Sequence, residues 1–332
     1  MTNYAKIVTQ ATQFMNKINA AVIGTGYLGK YHVDKYATLP ASRLVAICDI
    51  DSENTQELSE KYRLKTTENY RDLLGQVNAV SIATPTSSHF EIAEFFLKNK
   101  VHVFIEKPIT TTLQEADTLV TLAEKNKLIL QVGHIERFNP AFRFIEPLVH
   151  HTRFIEAQRL TSFKLRGSDV SVILDMMIHD IDIVLSLVKS SITDIRATGA
   201  SVLTHHIDIA NARLEFESGC VASITASRIN PTSARLLRIF QDENHLHVDL
   251  HRNLCRIRRK GNSEMYPGVP TIDSEETYLE KGDALKEEIK AFLNAVIHNT
   301  TPTVSGQAAR DALAIAMQIT QIITDNNAKH QQ

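Results

Sequence analysis

Short apolar runs alternate with amphipathic stretches over the first 130 or so residues. Ala20-Ala21-Val22-Ile23, Leu44-Val45-Ala46-Ile47-Cys48, Ala79-Val80-Ser81-Ile82-Ala83, Val101-His102-Val103-Phe104-Ile105 and Leu128 to Val132 have the length and continuity of strands buried on both faces. Between them, Gly29 to Ala37, Asn54 to Tyr62, His89 to Asn99 and Leu113 to Asn126 predict helices; Ile92, Ala93, Phe96 and Leu97 recur at the spacing of one helix face. Strands that alternate with helices pair in parallel, because each crossover needs a helix to return the chain. The pattern therefore predicts an α/β unit with a doubly wound parallel sheet, which takes its ligand at the strand carboxyl ends. Asp49, Thr84, Lys107 and His134 all follow such ends.

The rhythm changes near Phe138-Asn139-Pro140. Beyond it the pattern gives a strand (Phe154 to Phe163), a helix (Val172 to Val188) and then consecutive strands: Ile195 to Leu203, Ile209 to Phe216, Cys220 to Ser227, Leu236 to Gln241 and His245 to Leu250. Successive strands without helices predict an α+β unit with an open, largely antiparallel sheet. Helices Ala284 to His298 and Gly306 to Asp325 close the chain, and Asn326 to Gln332 is expected to fray. The division expected is an N-terminal extension over 1–17, a dinucleotide-binding domain over 18–137 and a substrate domain over 138–332.

Composition narrows the classes. With 332 residues and 43% hydrophobic content, the chain can bury two cores without disulfides or a structural metal. Its net charge of -2 gives no electrostatic case for nucleic acid or an anionic membrane. Cys48, Cys220 and Cys255 lack CxxC spacing and are odd in number, as expected of free thiols in a reducing cytoplasm. Residues 1–19 lack the continuous apolar stretch of a signal peptide, and no run approaches the ~18 apolar residues of a membrane span.

Gly24, Gly26 and Gly29 form G-x-G-x-x-G between a strand and a helix. The first permits a tight turn, the second lets backbone approach a pyrophosphate, and the third allows close helix–strand packing. Asp49 stands 20 residues after Gly29 at the next strand end, where a carboxylate can accept from both ribose hydroxyls and repel a 2′-phosphate. The cofactor expected is NAD; the plain alternative is a structural turn with a solvated aspartate. Gly24 to Lys30 also fits G-x-x-x-x-G-K, but Tyr31 follows where a magnesium-binding Ser or Thr belongs.

Lys107, in Glu106-Lys107-Pro108, can hold a substrate hydroxyl and stabilise an alkoxide; otherwise it is a surface lysine before a proline turn. Asp175 and His179 lie four apart on an apolar helix, an acid–imidazole pair suited to general base work or a surface pair. Asp182 extends that face, and Asp180 is expected to be solvated or an internal partner. Thr84, Pro85 and His89 can line the nicotinamide half of a cofactor, or simply start a helix. Arg137, beside His134 and Glu136, is a candidate substrate contact or an interdomain ion pair. Arg159, Lys164 and Arg166 can meet a substrate diphosphate or lie on solvated strand faces. Arg252, Arg256, Arg258, Arg259 and Lys260 predict an exposed hairpin. No metal site is expected.

Taken together, Gly24 to Gly29, Ala83-Thr84-Pro85 with His89, Glu106-Lys107-Pro108 and Asp175 with His179 resemble the Gfo/Idh/MocA oxidoreductase family over nearly the whole chain. The resemblance implies Lys107 and His179 as catalytic groups with Asp175 as partner. It implies cofactor contacts that include Tyr27, Leu28 and Glu106, and an open sheet that forms homodimers or homotetramers. Val132 to Phe142 and Met177 to Asp182 are similar to the nucleotide-sugar 3-dehydrogenases of the family. That implies NAD-dependent oxidation of the 3-hydroxyl of UDP-GlcNAc, with the ketone passed to an aminotransferase of lipid A synthesis. Alternatives within the fold are the uronic acid form or another sugar or polyol; Val172-Ile173-Leu174 before Asp175 departs from the inositol-type pattern. A non-catalytic NAD-binding regulator is the alternative of another class.

Overall fold

The computed structural model describes residues 17–165, 167 and 169–330. These form two compact units, one within residues 17–133 and 285–310, the other within the described residues of 134–284 and 311–330. The N-terminal extension, apart from Lys17, lies outside the described residues, as does Arg166.

The first unit contains β1 (Ile18–Ile23), α1 (Gly29–Thr38), β2 (Ser42–Cys48), α2 (Ser52–Tyr62), β3 (Lys65–Thr67), β4 (Ala79–Ile82), α3 (His89–Lys98), β5 (His102–Glu106), α4 (Leu113–Asn126) and β6 (Leu130–Gly133). Its strands form one parallel sheet in the order β3-β2-β1-β4-β5-β6. The winding reverses between β1 and β4, which opens a crevice at their carboxyl ends. Both β4, inside the sheet, and β6, at its edge, are buried at every position. Val22, Ile47 and Phe104 pack with Val33, Tyr36 and Phe292. Local signals set the helix starts: Asp51 accepts the Glu53 N–H, and Thr112 with Glu115 makes a reciprocal capping box on α4. The polar three-residue β3 has no counterpart in the hydrophobic pattern.

The second unit contains α5 (Pro140–Ile145), β7 (Thr152–Leu160), a π-helical turn (Ile173–Met177), α6 (Ile178–Leu187) and seven further strands. These are β8 (Ile192–Ala200), β9 (Ile209–Phe216), β10 (Val221–Ser227), β11 (Ala234–Gln241), β12 (Asn244–Asp249), β13 (Leu254–Tyr266) and β14 (Val269–Tyr278). The sheet runs β14-β13-β12-β11-β7-β10-β9-β8, antiparallel except where β7 pairs with β10. Alternation selects its inner face: Ala212, Leu214, Ala222 and Ile224 pack with Ile173, Met177 and Ile181. Arg256, Arg258, Arg259 and Lys260 lie on the β13–β14 hairpin, where Arg256 pairs with Glu276 across the strands, and Arg252 lies in the turn before it. Helices Ala284–His298 (α7) and Gly306–His330 (α8) follow. The tail expected to fray from Asn326 is helical through His330, because nothing in Asp325 to Lys329 breaks the helix and Asn327 donates to the Gly199 carbonyl. All three cysteines are buried free thiols. Among the described residues, no helix is long and apolar enough to cross a membrane.

Candidate active site

The glycine turn follows β1, and its first and third glycines answer a steric demand. Gly24 has φ +83°, and a Cβ there would sit 2.8 Å from the Ala83 carbonyl group; a Cβ at Gly29 would sit 1.8 Å from the Gly24 oxygen. A Cβ at Gly26 would meet nothing within 4 Å, so that side of its backbone faces open space ahead of α1. The N-terminus of a helix suits a phosphate. Tyr27 is largely exposed and meets Tyr31 edge-to-face, and Leu28 precedes the first helical residue.

Asp49 closes the turn from β2. Its Oδ2 accepts the Thr25 N–H at 2.6 Å and the Thr25 hydroxyl at 3.0 Å, while Oδ1 accepts the Asp51 N–H at 3.0 Å. Burial raises its pKa, but these donors outweigh burial and hold the carboxyl below its usual value. A carboxylate offers about four acceptor positions, so three donors leave capacity for a ribose hydroxyl. The turn, the open backbone at Gly26 and this anion fit NAD.

Lys107 is half-buried at the end of β5, and the Lys107–Pro108 peptide is cis. Its neighbours are held by two buried histidines. On one side, His32 of α1 places Nε2 3.0 Å from Glu106 Oε1 and Nδ1 2.8 Å from Ser81 Oγ, and Glu106 Oε2 accepts the Lys107 N–H at 3.3 Å. Burial raises the Glu106 pKa; bonding to His32 and the His32 and Lys107 charges bring it below the ordinary value. On the other side, His89 Nδ1 lies 2.9 Å from the Pro108 oxygen and Nε2 2.9 Å from the Thr84 oxygen. Each ring nitrogen of His89 faces a carbonyl, and the ring N–H donates to one of them, so the histidine braces the turn. Burial still pushes its pKa down. Thr84 accepts from the Ser88 hydroxyl at 2.8 Å, and Pro85 is exposed.

In the second unit, Asp175 lies within the π-helical turn and His179 in the first turn of α6, both half-buried. The single-helix expectation is corrected here: a π-helical turn that holds Asp175 precedes the α-helix that holds His179. Gly167, at φ +77°, lies so close that a Cβ would stand 2.9 Å from Asp175 Oδ2. His134 is buried and meets the His179 ring edge-on at 6.0 Å.

The surrounding charges sort differently from the sequence expectation. Asp180 is buried, and Arg159 clamps it with bonds of 2.8 and 2.9 Å while reaching Glu136 at 2.7 Å. Arg159 is therefore a buried structural cation, neither a solvated strand residue nor exposed to a diphosphate. Arg137 is 3.7 Å from both Asp182 and Glu146, within its own unit. Lys164 is exposed, and Arg166 lies outside the described residues. Sequence reasoning missed Arg228, which donates to the Gly167, Val170 and Ile207 carbonyls and pairs with Asp208 at 3.0 Å. It ties down the segment beside Asp175; its only sequence signal was an arginine at the end of an apolar strand. Among the described residues, no group of three or more His, Cys, Asp or Glu could hold a metal.

These features define an NAD-binding oxidoreductase. The description "Oxidoreductase family, NAD-binding Rossmann fold" matches residues 18–134, and a GFO/IDH/MocA C-terminal domain matches residues 148–247. The UDP-N-acetylglucosamine 3-dehydrogenase of Acidithiobacillus ferrooxidans is 38% identical over 92% of this chain and 97% of its own. Its solved structure superposes with a TM-score of 0.88, covering 93% of this chain and 98% of that one. The scyllo-inositol 2-dehydrogenase (NAD(+)) of Bacillus subtilis is 25% identical over 87% of this chain and 89% of its own. A levoglucosan dehydrogenase solved with NADH and L-sorbose shares the fold at 17% identity and a TM-score of 0.84, covering 94% and 98% of the two chains. The chain belongs to the Gfo/Idh/MocA oxidoreductase family, with NAD as its cofactor.

Proposed function

We propose that the protein oxidises the 3-hydroxyl of UDP-GlcNAc to the 3-keto sugar. The observation that carries this reading is end-to-end similarity to a UDP-N-acetylglucosamine 3-dehydrogenase at 38% identity, against 25% for an inositol dehydrogenase. When bound, NAD supplies the acceptor for the hydride that leaves the carbinol carbon. Lys107 holds the hydroxyl oxygen and stabilises the alkoxide, since a fixed cation acts most where charge develops. His179 takes the hydroxyl proton, and Asp175 fixes its tautomer. Arg137 and Arg166 serve the substrate, while Gly24, Gly26, Tyr27, Leu28, Asp49, Thr84 and Pro85 serve the cofactor. His89 and Glu106 contribute to that side through the turn they hold.

In this reading residues 18–137 bind NAD, and residues 138–332 bind the sugar nucleotide and form a homodimer or homotetramer. A pyridoxal-dependent aminotransferase of lipid A synthesis consumes the ketone in the cytoplasm. The test is NADH formation from UDP-GlcNAc and NAD, with an aminotransferase and glutamate drawing off the product. A signal that needs UDP-GlcNAc and disappears in His179→Ala supports the assignment. No signal with NAD binding intact, but turnover of the uronic acid form or a free polyol, overturns the substrate.

A further inference from the structure

We propose that His32 is a positioning residue for Lys107, acting through Glu106. The inference rests on the reading of Lys107 as the group that meets the substrate hydroxyl, and extends it to a residue with no access to substrate.

His32 is fully buried, one turn into the helix that opens at the cofactor glycines. Its ring joins three elements: α1, on which it sits, β4 through Ser81, and the end of β5 through Glu106. Phe104 packs edge-on at 5.4 Å and fixes the ring plane. Glu106 is confined from its far side as well, because a Cβ at Gly133 would lie 2.9 Å from Oε2. Its carboxylate is left with one orientation, in which the second oxygen accepts the Lys107 N–H. His89 holds the next residue by bonding the Pro108 oxygen. Both neighbours of Lys107 are thus anchored by buried imidazoles.

Two plainer readings fail on particular points. A core histidine satisfied for its own sake accounts for Ser81 and Glu106, but not for a chain that ends on the residue before Lys107. The Ser–His–Glu order resembles a nucleophilic triad, yet Ser81 is fully buried in mid-strand, where no substrate reaches. What remains is alignment. A displacement of about 1 Å at a reacting group lowers turnover on the order of 10²-fold.

The two amide substitutions separate the bonds His32 makes. Glutamine reaches the Nε2 position and keeps the donor to Glu106, whereas asparagine matches Nδ1 and keeps only Ser81. We expect His32→Asn to lower kcat on the order of 10²-fold with the KM for NAD changed less than about threefold. His32→Gln restores most of the activity. In ligand-free protein, amide exchange at Lys107 is expected to rise in His32→Asn and stay near wild type in His32→Gln. Amides of β1 serve as the internal control.

Equal behaviour of the two variants in both measurements overturns the proposal. So does faster exchange across the whole sheet, which marks a merely structural histidine, or unchanged exchange at Lys107 in His32→Asn. If the wild type oxidises no sugar nucleotide, the functional reading fails by itself, and the exchange comparison still decides whether His32 sets Lys107. Ser81→Ala, which removes only the distal bond, gives a milder version of the same pattern if asparagine at 32 does not fold.

Discussion

Asp49 and Asp208 are the same device in two settings. Each carboxylate collects N–H donors from a neighbouring turn: Asp49 from Thr25 and Asp51, Asp208 from Val202, Leu203 and Thr204. Asp208 is fully buried and closed on its other oxygen by the Thr204 hydroxyl and the Arg228 guanidinium. Asp49 is half-buried and also takes the Thr25 hydroxyl, but among the described residues no cation pairs with it. The donors that organise a scaffold aspartate and those that prepare a ligand-binding one are alike. The difference lies in unused acceptor capacity facing outward, and in whether a buried cation neutralises the charge or leaves it for a ligand to meet.

The comparison can be broken first at its closed end. Arg228→Ala strips Asp208 of its counter-ion and three carbonyls of their donor, and should lower unfolding free energy by about 3–5 kcal/mol, read by urea denaturation. A loss under about 1 kcal/mol would mean that the N–H groups alone sustain the buried charge. Next comes Lys107→Ala in the Rossmann unit, expected to lower kcat about 10²–10³-fold while NAD affinity and thermal stability stay near wild type. Loss of NAD binding there would remove Lys107 from its assigned role.

Asp49→Asn keeps the shape of the open site and removes its charge. NAD affinity should fall about tenfold, ~1.4 kcal/mol, and preference over NADP should shrink, measured by titration calorimetry. Equal affinities in the wild type would take ribose selection away from Asp49. The smallest effect is in acid. Burial works against the Asp208 anion, but the three N–H groups hold its pKa down to about 2 from 3.8. A depressed folded-state pKa stabilises the fold above pH 3.8, and that contribution is lost as pH falls toward about 2. Asp208→Asn should flatten stability across that window; an unchanged slope would place the acid transition elsewhere.

The features legible in the sequence were those with a strong local cause. Gly24 and Gly29 are forced by close backbone approach, and the buried parallel strands carry continuous apolar runs. The helix boundaries at Leu113 and Asn126 follow from a capping threonine and a change to polar residues. The three-residue β3 was hidden because Lys65 to Thr67 carries no apolar signal and is held by pairing with β2 alone. The π-helical turn was hidden because hydrophobic spacing over one turn does not distinguish it from an α-helix. Arg159 read as a diphosphate contact or a solvated strand residue, because its partners lie 21 and 23 residues away. His32 did leave a trace. Ser81 interrupts the apolar run of β4, and a buried hydroxyl in a central strand calls for a polar partner.

The three cysteines give the molecule its own unfolding reporter. Burial raises the Cys48 thiol to about 12 and the Cys220 and Cys255 thiols to about 11, so near neutral pH the folded chain presents almost no nucleophilic sulfur to an alkylating reagent. Cys48 belongs to the Rossmann unit, and Cys220 and Cys255 to the other. Labelling kinetics resolved by peptide therefore time the opening of each half separately, with no probe engineered into either.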